Sequence, residues 1–139
     1  MKYIVTATLF SAMFGSAAYA ESINVTIQNT TNFGTVRAAV FTNQAAFDGS
    51  QAVAKSMIKA SDGHTVVTFK DLKPGRNGIA VFHDLNGNET LDRNLFGAPK
   101  EPFGFSNDPK IGFSAPRFDK FDFKFDGEPI NIIINLNGA

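Results

Sequence analysis

The chain has 139 residues, with 13 basic and 13 acidic side chains and no cysteine. A near-neutral surface without a basic run argues against nucleic acid as a partner, and the missing cysteines exclude both disulfides and soft-ligand metal sites. Fifteen phenylalanines (15) beside no tryptophan favour an apolar core over a carbohydrate site, which usually needs the polar tips of tryptophan or tyrosine.

The first 20 residues run from Met1-Lys2-Tyr3 through the apolar stretch Ile4 to Ala18 and end Ala18-Tyr19-Ala20. Small residues at the two positions a signal peptidase reads predict a secretory signal peptide cleaved after Ala20, and a protein of the periplasm or the exterior. A transmembrane anchor is not expected: Thr6, Thr8, Ser11 and Ser16 dilute the run, which is shorter than the roughly 20 apolar residues that span a bilayer. Residues 21–139, with 12 basic against 13 acidic side chains, suit a single domain with one continuous core.

Ser22 to Gln28 alternates with period two, placing Ile23, Val25 and Ile27 on one face of a strand. Asn29 to Gly34 reads as a turn into a second strand, Thr35 to Thr42, with Val36, Ala38 and Val40 on one side and Phe41 opposite; the two strands are expected to pair. Asn43 is placed to cap a helical turn through Asp48. Ala52 to Ala60 is ambiguous, since Val53, Met57 and Ala60 fit helical spacing while Ala52, Ala54, Ser56 and Ile58 fit a strand; the neighbouring strands favour the strand, and Ser61-Asp62-Gly63-His64 fits a hairpin connection into Thr65 to Phe69. Lys73-Pro74-Gly75 is a turn in which proline presets φ near roughly −65° and glycine accepts the positive φ that follows. It feeds Arg76 to His83, a strand with apolar or small residues on both faces, as a central strand has. Phe118, Phe121, Phe123 and Phe125 alternate with polar residues apart from a break at Lys120, the signature of a bulge. After Asp126-Gly127, residues Ile130, Ile132, Ile134 and Leu136 share one face of the last strand. About seven short strands with turn signals between them predict an all-β fold, an antiparallel β-sandwich with one long loop rich in phenylalanine, proline and glycine.

Asp84-Leu85-Asn86-Gly87-Asn88-Glu89-Thr90-Leu91-Asp92 follows the central strand and carries oxygen-bearing side chains at alternate positions. Calcium takes roughly six to eight oxygen ligands, which a curled loop supplies from such positions. Asp84, Asn86, Asn88, Thr90 and Asp92 are therefore candidate calcium ligands, with Leu91 expected to point into the core. Glu89 stands where an EF-hand loop has glycine and Leu95 where it has a bidentate glutamate; Glu101 lies too far along to fill that role without a different backbone path. The alternative is an Asx-turn loop in which the same side chains bind backbone N–H groups and Gly87 takes a positive φ.

The segment Phe96 to Pro116 is long for a loop unless it is packed or functional. Phe96, Phe103, Phe105 and Phe113 in it are candidate ligand or protein contacts, or else pins that hold the loop over one end of the sandwich. Gly104-Phe105-Ser106-Asn107 lacks the glycine-x-serine-x-glycine elbow of a serine hydrolase. No catalytic residue is assigned.

Taken together, His83-Asp84-Leu85-Asn86-Gly87-Asn88, Leu91-Asp92, Gly97-Ala98-Pro99-Lys100-Glu101 and Phe103-Gly104-Phe105-Ser106-Asn107 resemble the bacterial family called domain of unknown function 2141. Its members show a His-Asp-x-Asn-x-Asn-Gly-x-x-Asp-like stretch followed by Gly-x-Pro-x-Glu and Gly-Phe-Ser-Asn. This chain departs from the pattern at Glu89, where the family commonly has glycine. The resemblance implies an exported β-sandwich related to prealbumin-like and carboxypeptidase regulatory-like modules, and carries over no functional residue. The leading expectation is a noncatalytic envelope module that binds a protein or cell-surface component, stabilised by calcium if the loop holds it. The alternatives are a small periplasmic hydrolase using His83 with Asp84 or Glu101, and a protein that binds a small apolar ligand.

Overall fold

The computed structural model describes residues 21–137, so the expected signal peptide, residues 1–20, lies outside the described residues. Eight strands and two short helical turns follow in the order β1 (Ser22–Thr30), β2 (Thr35–Phe41), α1 (Gln44–Asp48), β3 (Ala54–Lys59), β4 (Gly63–Lys70), β5 (Gly75–Asp84), β6 (Phe103–Phe105), α2 (Phe118–Phe121), β7 (Asp122–Phe125) and β8 (Ile130–Asn135). They form two sheets: a three-stranded one ordered β4-β1-β8, and a five-stranded one ordered β3-β2-β5-β6 in which β7 also pairs with β5. The fold is an all-β sandwich.

Alternation along the strands explains the core. Ile23, Val25, Ile27, Val67, Phe69 and Ile134 face inward from one sheet, and Val36, Ala38, Val40, Ile79 and Val81 from the other, all of them buried. Each such side chain removed from water contributes about 1.5–3 kcal/mol, which is how the domain holds together without disulfides. Asn43 caps α1 as expected, its Oδ1 accepting the Ala46 N–H at 2.7 Å.

Three pairings differ from the sequence expectations. Strand β1 does not pair with β2: the Asn29–Gly34 turn carries the chain from one sheet to the other, and β1 lies between β4 and β8. Likewise Ser61-Asp62 is no hairpin connection, because β3 pairs with β2 and β4 with β1. The sandwich is not wholly antiparallel either. Strand β8 runs parallel to β1, with Val25 opposite Ile132, since the Asp126–Pro129 turn brings it across from the five-stranded sheet and the crossing sets its direction.

The break at Lys120 is a helical turn, not a bulge. Phe118 and Phe121, three apart, share its buried face and belong to a second cluster with Phe41, Phe105 and the partly buried Phe47 and Phe103. This cluster lies on the outer face of the five-stranded sheet. Its rings meet mostly edge to face, Phe47 and Phe121 with centroids 5.0 Å apart, an arrangement that aromatic quadrupoles favour. Gly78 of β5 makes room for it: a Cβ there would lie 2.6 Å from two Phe121 ring carbons. Ser106 closes the joint between β6 and β7 on β5, its N–H donating to Ile79 O at 2.9 Å while its Oγ accepts the Ile79 N–H at 3.0 Å and donates to Phe121 O. The serine is a buried backbone surrogate.

Candidate functional site

Two features share the outer face of the five-stranded sheet: the loop after β5, and an open groove beside it. The loop is organised by Asp84, which alternation turns to the outer face while His83 turns inward. Asp84 is 0 % exposed. Its Oδ2 accepts Arg37 Nε–H at 2.8 Å and the Glu89 N–H at 2.9 Å, and its Oδ1 accepts the Gly87 N–H at 2.9 Å. Burial pushes its pKa up, but the hydrogen bonds from Arg37, Glu89 and Gly87 outweigh this and leave it below the usual 3.8. Arg37 comes from the neighbouring strand, where it lies opposite Phe82, and its second amino group is 3.6 Å from Glu89 Oε1.

The remaining candidate ligands form a ladder. Asn86 Oδ1 accepts the Asn88 N–H at 3.2 Å, and Asn88 Oδ1 accepts the Thr90 N–H at 3.1 Å. Their amide Nδ2 groups both turn to Asp92, at 2.5 Å and 2.7 Å. Those two donors hold the Asp92 carboxyl below its usual range. Thr90 is exposed and enters the ladder through its backbone. Gly87 takes φ 74°, and Glu89, despite its side chain, takes φ 67°.

Glu101 closes the loop. Because β6 runs antiparallel to β5, with Phe103 opposite Phe82, the chain returns beside its own exit point, which is the backbone path that sequence distance argued against. The buried Glu101 carboxylate accepts the Leu85 N–H at 2.7 Å and the Asp92 N–H at 3.2 Å. His83 lies on the opposite face, 1 % exposed. Its Nε2 is 2.5 Å from Phe33 O, and since a carbonyl only accepts, that nitrogen carries the proton. Among the described residues no group of three or more histidine or acidic side chains is arranged to hold a metal.

The groove, about 640 Å³ in volume, lies between the phenylalanine cluster and the loop. Its floor is the directly opposed pair Ala39 and Ala80, with Phe41, Phe82, Phe103 and Phe105 around them; Arg37, Lys55, Glu89 and Arg93 stand at its rim. Leu91 lines this groove and does not enter the sandwich core, because the loop leaves β5 on the outward side through Asp84. Of the four phenylalanines singled out by the sequence, Phe103 and Phe105 meet at the groove, whereas Phe96 and Phe113 are 95 % and 114 % exposed and line no part of it. Arg37, Lys55, Ala39 and Ala80 were not among the sequence candidates. An arginine in an otherwise apolar strand, and small residues on the outer face of a central one, are the signals that point to them.

No helix among the described residues is long and apolar enough to cross a membrane. No curated protein and no solved structure matches the chain. Residues 25–133, which span both sheets, the loop and the groove, match the family described as uncharacterized protein conserved in bacteria, DUF2141. The chain belongs to the DUF2141 family.

Proposed function

We propose that the protein is a noncatalytic binding module of the periplasm or the exterior, and that it takes an apolar ligand in the groove over Ala39 and Ala80. The reading rests on one observation. The middle of the outer sheet face is floored by two alanines and walled by Phe41, Phe82, Phe103 and Phe105, in a volume within the range of small-molecule sites. The hydrolase alternative has less to support it, since His83 is buried and engaged with a backbone carbonyl. A neutral apolar fluorophore, N-phenylnaphthylamine, provides the test. It is expected to bind saturably, with binding lost in Ala39→Leu and kept in Val66→Ser on the far sheet. Equal fluorescence from the native chain and Ala39→Leu would overturn the reading.

Calcium in the loop is the second reading, favoured by the convergence of Asn86 and Asn88 on Asp92. Amide nitrogens face Asp92, and Arg37 already neutralises Asp84. An ion beside Asp92 would have to displace both amide N–H donors, although each amide oxygen keeps a lone pair beyond the backbone N–H it accepts. Thermal melting with millimolar calcium separates the two, and an unchanged midpoint is expected. A rise that disappears in Asp92→Ala would establish the cation site.

A further inference from the structure

The groove holds more than apolar surface, and its charges are unbalanced. Three cations stand at its rim, Arg37, Lys55 and Arg93, against one carboxylate, Glu89. Arg37 is committed, with Nε on Asp84 and a second nitrogen near Glu89. Lys55 and Arg93 have no carboxylate within 4.0 Å among the described residues. Lys55 is opposite Ala39 on β3, so its side chain rises from the groove floor's own row. Arg93 comes from the loop side, its position fixed by one guanidinium N–H donated to Gly97 O at 2.9 Å, which leaves other donors of the fork for a ligand.

Such a site discriminates by head group. An apolar body laid over Ala39 and Ala80 displaces water from the floor, and a cation at the edge of a partly dry site attracts an anion more strongly than one in bulk water does. We infer that the ligand is an anionic amphiphile: an aliphatic or aromatic body on the alanine floor, ending in a carboxylate held between Lys55 and Arg93. This deepens the groove reading above and rests on it. An alkylammonium of the same length would set its charge against two cations, and an alcohol could accept a hydrogen bond but would leave both charges uncompensated.

Calorimetry on the full chain with dodecanoate and dodecyltrimethylammonium, each below its micelle concentration, and dodecanol below its solubility limit, provides the test. Dodecanoate is expected to bind about tenfold or more tighter than dodecanol, the ratio one charge-assisted hydrogen bond gives, with dodecyltrimethylammonium weakest. In the double variant Lys55→Gln, Arg93→Gln, dodecanoate is expected to fall to the level of dodecanol measured on the same variant; both residues are exposed, so the fold tolerates the exchange. Equal affinity for dodecanoate and dodecanol, or a preference that survives the double variant, would overturn acid recognition and leave the groove reading standing. Failure of all three probes to bind would remove both.

Discussion

The two faces of the five-stranded sheet are built from the same strands and end up closed in different ways. On the inner face, Val36, Ala38, Val40, Ile79 and Val81 meet a second sheet along their whole length and are sealed without interruption. On the outer face, cover comes from whatever the loops deliver. Phenylalanine rings pack over Gly78 at one end, the Arg37–Asp84 pair closes the other, and between them Ala39 and Ala80 leave a groove. A continuous partner layer makes a core. Piecemeal cover leaves room for a site.

The outer phenylalanine layer is expected to be as much a part of the packing as the inner core. Phe121 on the outer face and Phe125 on the inner face are both fully buried. Phe121→Ala and Phe125→Ala are each expected to cost about 3–5 kcal/mol, read from urea unfolding of both variants. A cost for Phe121→Ala well under that for Phe125→Ala would mean that the phenylalanine cluster rests on the sheet without being part of its packing.

At the other end of the outer face, the Arg37–Asp84 pair is expected to contribute comparably. Asp84→Asn keeps the side-chain shape but withdraws the charge that faces Arg37, and breaking a buried pair costs about 3–5 kcal/mol; the low end is expected because Arg37 remains partly exposed. Since folding lowers the Asp84 pKa below 3.8, its stabilisation is complete above that value and is lost as pH falls through the lower folded value. The native chain should therefore lose more of its urea midpoint between about pH 4 and pH 2 than Asp84→Asn does. Parallel pH profiles for the two would show that Asp84 is not the group that fastens the loop.

Much of the inner face was legible in the sequence, because period-two alternation at Ile23, Val25 and Ile27, or at Val36, Ala38 and Val40, has one physical cause in a half-buried strand. The outer face was harder to read. Phe103–Phe105 is too short to declare itself a strand, although it is β6 that returns Glu101 to Leu85 and Asp92. The three-residue spacing of Phe118 and Phe121 was present as a helical signal, but neighbouring phenylalanines in alternation masked it. Which strands pair across the sandwich, and that β8 runs parallel to β1, is set by how turns cross between sheets, and no local pattern records it. In the loop, alternation of oxygen-bearing side chains was visible in the sequence, and Asn86, Asn88 and Asp92 do bond to one another. The partner of Asp84, Arg37, was not visible there, because it lies 47 positions away in the chain.

The smallest expected effect concerns Glu89, a non-glycine residue in a left-handed turn. Glu89 holds φ 67°, a left-handed conformation that costs an L-residue about 1–2 kcal/mol, and it is held there because its N–H reaches Asp84. Its carboxylate contributes an exposed pair with Arg37 at 3.6 Å, of a kind usually worth about 0–1 kcal/mol. Glu89→Ala removes the pair and keeps the backbone cost, so a loss of a few tenths of a kcal/mol is expected. Glu89→Gly removes both, against an unfolded-state entropy cost of about 0.4–1 kcal/mol. Glycine should then exceed alanine in stability by up to about 1 kcal/mol, read as the difference between the two unfolding midpoints, in which the lost ion pair cancels. If alanine equals or exceeds glycine, the left-handed turn at Glu89 is not a source of strain. If glycine wins, the loop's geometry is set by Asp84 and its backbone donors, and the side chain at 89 is free to serve the groove rim it borders.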